Sequence, residues 1–230
     1  MLQAYNTLSN GIFINNTGNL TLDDYSLGNG AGIENIGTGG ISLNNSGSVD
    51  FPGSTSFFGL YAPNGGNITV NAAGSTSNIT SCDGTACTGM ITAESDGGSI
   101  SFTAGGGINL GVNGFADIHT DYSNASGDNG GSITINASGG DLNIENGTYL
   151  GTNTGNLSLT ASGNIGNLTL DDYSLGNGAG IENIGTGGIT LNNSGSVDFP
   201  GSTSFFWTVR PKWREYHGKC SGIHIEHHFL

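Results

Sequence analysis

The stretch GNLTLDDYSLGNGAGIENIGTGGISLNNSGSVDFPGSTSFF, residues 18–58, returns at residues 166–206 with a single change, Ser42 to Thr190. The offset is 166 − 18 = 148 residues. So faithful a copy points to a recent duplication, and a duplicated unit of that size points to an array rather than to one globular design. Residues 1–206 are therefore read as a single repeat region, and residues 207–230 as a separate tail.

Within and between the copies one short phrase recurs, a glycine followed by an apolar–polar–apolar triplet. Its apolar pairs are Leu20/Leu22, Ile41/Leu43, Ile68/Val70, Ile100/Phe102, Ile108/Leu110, Ile133/Ile135, Leu142/Ile144, Leu157/Leu159, Leu168/Leu170 and Ile189/Leu191. The residue between each pair is Thr, Ser or Asn. Alternation of this kind over so few residues signals strands with one side chain inward and the next outward. Gly-Gly, Asn-Gly, Ser-Gly and Asp-Gly between the phrases signal turns. No segment has a sustained helical period, so little or no helix is expected.

Strands this short bury too little to hold an isolated hairpin. Stacked one above another, their inward pairs would form a continuous column and their outward Asn, Thr and Ser would form polar ladders. The fold expected is all-β, a parallel β-helix of irregular coils. Inward Leu20, Leu22, Ile68, Val70, Ile133, Ile135, Leu157 and Leu159 should be buried, with Thr21, Thr69, Thr134 and Ser158 facing out. Gly-Gly nodes at 65–66, 97–98 and 130–131 suggest two or three strands per coil and coils of roughly 20 to 33 residues. The less regular pieces from Phe51 to Asn64 and from Phe115 to Asn129 are expected to be loops leaving the rod.

Composition narrows the partners. The chain holds 43 Gly, and its four basic residues (Arg210, Lys212, Arg214, Lys219) all lie in the tail. Residues 1–206 carry 16 acidic groups and no Lys or Arg. Such a body repels nucleic acid and anionic lipid. No run of about 18 apolar residues exists, so no helical membrane insertion is expected. MLQAYNTLSN lacks the basic start and apolar core of a signal peptide. The chain opens in mid-pattern, which reads as an interior fragment of something longer.

The coils GGNITVNAAG, GGSISFTAGGGINL, GGSITINASGGDLNI and GNLSLTASGNI resemble those of filamentous haemagglutinin-like large repetitive exoproteins. The resemblance spans residues 11–206. It implies a right-handed β-helix, a cell-adhesion role outside the cell or on a bacterial cell surface, and export through a partner outer-membrane transporter. It also implies host or surface glycans or proteins as partners.

The tail WTVRPKWREYHGKCSGIHIEHHFL departs from every habit of the body. Aligned at the same offset with GLYAPNGGNITVNAAGSTSNITSC, each tail codon can end in the first two bases of the matching body codon. Trp207 (TGG) contains the GG of Gly59, Thr208 (ACT) the CT of Leu60 and Val209 (GTA) the TA of Tyr61. The correspondence holds through all 24 positions, so residues 207–230 read as the next repeat translated out of frame, a frameshifted tail expected to be poorly ordered. His217, Cys220, His224, Glu226, His227 and His228 have ligand chemistry for zinc or iron. The frame accounts for each of them without selection, and no metal site or cofactor is expected.

Two other sets deserve weighing. Cys82 and Cys87 bracket Asp-Gly-Thr-Ala; in an oxidising compartment they would form a short disulfide pinning a loop, and otherwise stay as two thiols. Asp23-Asp24 and their copies Asp171-Asp172 resemble the adjacent acids of β-helical pectin-degrading hydrolases, where paired carboxylates supply acid and base. No basic residue accompanies them to grip an acidic sugar, and a turn role suits Asp better. The function expected is a non-enzymatic structural or adhesive rod with no catalytic residue. The alternatives are a carbohydrate-active β-helix enzyme and a calcium-dependent surface-layer or matrix protein.

Overall fold

The computed structural model describes residues 4–22, 31–53, 57–84, 90–95, 97–114, 116–120, 130–145, 148–152, 154–162, 168–170, 181–183, 187–195 and 197–198. These residues form an all-β solenoid without helix. Twenty-one strands fall into three parallel sheets of seven, and each sheet takes every third strand in order.

Face A holds β1 (Ala4–Asn6), β4 (Ala31–Asn35), β7 (Phe57–Tyr61), β10 (Met90–Glu94), β13 (Ala116–His119), β16 (Tyr149–Thr152) and β19 (Ile181–Asn183). Face B holds β2 (Ile12–Asn16), β5 (Ile41–Asn45), β8 (Ile68–Ala72), β11 (Ile100–Ala104), β14 (Ile133–Ala137), β17 (Leu157–Ala161) and β20 (Ile189–Asn193). Face C holds β3 (Leu20–Thr21), β6 (Val49–Phe51), β9 (Ile79–Ser81), β12 (Ile108–Leu110), β15 (Leu142–Ile144), β18 (Leu168–Leu170) and β21 (Val197–Asp198). Each coil thus makes three strands.

The inward column follows the sequence phrase. Ile41, Leu43, Ile68, Val70, Ile100, Phe102, Ile133, Ile135, Leu157 and Leu159 of face B are buried, as are Val49, Ile79, Ile108 and Leu142 of face C. Leu22 is fully buried, while Leu20 is only half-buried against the core. Thr21 and Thr134 are exposed, and Thr69 and Ser158 sit partly exposed on the outer side. The rings of Phe51 and Phe102 stack with centroids 6.1 Å apart. They meet across the coil that supplies Val70 and the small, buried Ser81, which leaves the room.

Glycine sets the corner into face B. Gly65 and Gly97 take φ of 85° and 82°, a left-handed conformation that side chains other than glycine rarely adopt. A Cβ on the next residue, Gly66 or Gly98, would strike the carbonyl of the glycine one coil below. The Gly-Gly nodes are therefore the points where successive backbones approach too closely for any side chain.

Two expectations need correction. Phe57–Tyr61 and Ala116–His119, read above as parts of loops, are strands β7 and β13 of face A. Face A escaped the triplet pattern because its core residues Ile33, Leu60, Ala93, Ile118 and Leu150 are flanked by glycine, tyrosine or polar positions, and the second core residue of β13 is the small Ala116. The step from Ile108 to Leu142 is 34 residues, slightly beyond the expected coil length.

The duplication is in phase with this architecture. The copy of Leu20 is Leu168, and on face C the ladder runs Leu20, Val49, Ile79, Ile108, Leu142, Leu168. Five coil steps therefore separate the copies. Likewise β5 on face B lies five steps from its copy, β20. One 148-residue unit is a whole number of coils.

Candidate functional site

Titratable side chains collect on the outer side of face A. Register places Tyr5, Glu34, Tyr61, Glu94, His119 and Gly151 in one column, one per coil. The neighbouring inward column is Ile33, Leu60, Ala93, Ile118 and Leu150, so strand alternation turns Glu94 and His119 outward. Both are nevertheless buried.

His119 lies between two carboxylates. Its Nδ1 is 2.8 Å from Asp117 Oδ1, and its Nε2 is 3.5 Å from Glu94 Oε2. The first is a hydrogen bond, and the second is an ion pair too long for a good one. Strand β13 brings Asp117 and His119 to the same side because they are two residues apart. A register irregularity between Ile91 and Ala93 aligns Glu94 with His119 while Asp117 aligns with Ile91. Thr92 sits at that irregularity, fully buried, and its Oγ1 has no hydrogen-bond partner. Next in the column Gly151 leaves space that the Tyr149 ring fills; any Cβ there would collide with that ring.

Burial alone would lower the pKa of His119. Hydrogen bonding and charge from Asp117, then Glu94, outweigh it and push His119 up from 6.5 to about 10. The imidazole is therefore held as a cation at neutral pH, and the group carries two acids and one base. A general acid–base histidine works best with a pKa near the working pH. This one is fixed in one protonation state and enclosed, which suits a strut that ties three strand residues together. In the same column, two coils from Glu94, burial raises Glu34 above its ordinary value.

The sequence-selected residues fare differently. Asp23, Asp24, Asp171, Asp172 and Cys87 lie outside the described residues, as does the whole tail with His217, Cys220, His224, Glu226, His227 and His228. Cys82 is fully buried, takes a left-handed φ of 60°, and is disulfide-bonded. Its partner lies outside the described residues. Among the described residues no group of three or more His, Cys, Asp or Glu is arranged to hold a metal ion. The Asp117–His119–Glu94 group was not singled out from the sequence. The only histidine of the body, set two residues from an Asp in an otherwise base-free region, was the available signal.

Compared with protein-family models, curated proteins and solved structures, the chain matches none.

Proposed function

We propose that the chain is a non-enzymatic rod segment of a large bacterial exoprotein, secreted or held at the cell surface, whose work is to extend and to present its outer faces for adhesion. The observation that supports this most is the phase of the duplication. A repeat unit that contained a fraction of a coil would break every ladder at the junction, whereas five whole coils extend all three sheets without interruption. Lengthening by duplication is then structurally neutral, which is the property a rod under selection for reach requires.

The likeness of its coils to filamentous haemagglutinin-like exoproteins adds export through an outer-membrane transporter and partners such as host or surface glycans or proteins. The one acid–histidine group in the described body is enclosed and charge-locked, so it lends no support to an enzymatic reading.

Immunogold labelling of source cells with an antibody raised against residues 18–58 tests the reading. Label on material projecting from the cell, or in the medium, is the expected result. Label confined to the cytoplasm would overturn it.

A further inference from the structure

Face B differs from the other two in regularity and in what it leaves unbonded. All seven strands pair over five residues without a register shift. Its outward side chains therefore form two straight ranks. From β5 onward one runs Ser42, Thr69, Ser101, Thr134, Ser158, Thr190, and the other runs Asn44, Asn71, Thr103, Asn136, Thr160, Asn192; in β2 the same two places hold the exposed Phe13 and Asn15. Every member is exposed or partly exposed. None carries charge, on a body with 16 acidic groups. The single hydrogen bond among these twelve side chains is a long one, Asn44 Nδ2 to Ser42 Oγ at 3.5 Å.

We propose that this face binds ice. Rank members repeat about every 4.8 Å along the rod, and the two ranks lie about 6.6 Å apart, two residue rises. A partner must therefore itself repeat in two dimensions at these small spacings, be uncharged, and both give and take hydrogen bonds at every point. Crystalline water does all three: each hydroxyl and amide of the ranks can donate and accept, as each water does. The stacked backbone fixes where the ranks stand, and χ1 of the threonines is stiff, so little ordering remains to be done on contact. A sugar chain would be better served by aromatic side chains with a polar edge, and the one aromatic residue of the ranks is Phe13, at one end and without a polar edge. This inference rests on the reading of the rod as a presenting surface and names what one face presents. The test uses purified protein and is blind to cellular location, so its failure leaves the rod reading standing.

The full chain, fluorescently labelled, is exposed to a slowly growing ice shell beside three variants checked by circular dichroism. Thr134→Tyr raises a ring out of the ranks, Asn136→Asp adds a charge with almost no change of shape, and Thr80→Tyr alters face C alone. Wild type and Thr80→Tyr should enter the ice, and Asn136→Asp and folded Thr134→Tyr should be excluded. Should Thr134→Tyr fail to fold, Asn136→Asp decides alone. Exclusion of folded wild type from ice overturns the proposal, as does undiminished entry of Asn136→Asp. Retention on insoluble cellulose that Asn136→Asp abolishes, without entry into ice, overturns it in favour of a glycan surface.

Discussion

Faces A and B are built on the same coils, stacked in the same parallel register, yet they solve different problems. From β5 to β20 face B repeats one solution six times, with two apolar residues inward, two polar residues outward and no register shift; in β2 the exposed Phe13 takes one of the outward places. Face A changes from coil to coil. It carries tyrosines, acids, a histidine and a glycine in a single outward column, and it absorbs a register irregularity at Thr92. Regularity on one face lets the rod extend, while variation on the other gives one coil stack an individual, enclosed charge group. In a solenoid, then, the ladder constraint acts face by face rather than on the whole coil.

The contrast can be broken most forcefully at the core the two faces share. Ile135→Asp places a charge without a partner in the inward column of face B, where Ile135 is fully buried. Loss of cooperative unfolding, or destabilisation beyond about 4 kcal/mol in urea, is expected. A smaller effect would mean that the column is not the support of the rod.

On face A the largest effect should come from His119→Gln. It leaves Glu94 buried beside Asp117 with no cation between them. Removing one partner of a buried ion pair costs about 3–5 kcal/mol, readable as a lowered urea midpoint at pH 7. Wild-type stability there would show that the group contributes nothing.

Titration sharpens the same point. The folded-state pKa of His119 is raised from 6.5 to about 10, so its contribution is present in full below about pH 6.5. It is withdrawn as pH rises through about 10. Urea midpoints of wild type and His119→Gln should converge across that window, and a constant gap would refute the charged histidine.

The smallest effect belongs to the outer rank of face B. Thr134→Ala should change stability by no more than about 0.5 kcal/mol, because the Thr134 side chain is exposed and bonds to no neighbour. A loss on the scale of His119→Gln would erase the distinction between the faces.

The same contrast explains which parts could be read before the structure. Faces B and C announce themselves through pairs such as Ile133/Ile135 and Leu142/Ile144, because two inward residues around one polar residue are the strand period written plainly. Face A hides behind FFGLY, MITAE and ADIH, where no two large apolar residues bracket a single Thr, Ser or Asn. Pairing partners supplied by adjacent coils, rather than local pattern, make these segments strands. The charge group was hidden for a related reason. Asp117 and His119 are close in sequence, but Glu94 reaches them only through a register that shifts at Thr92. Nothing in the local sequence fixes that shift.

A rod that lengthens by duplication requires the duplicated unit to be a whole number of coils. An in-frame concatemer of residues 18–165, in one, two and three copies, measured by small-angle X-ray scattering, tests this most directly. Each added copy should lengthen a rod of unchanged cross-section by about 24 Å, five coils at the ordinary strand spacing. A cross-section that widens with copy number, or a beaded profile with breaks between copies, would contradict it.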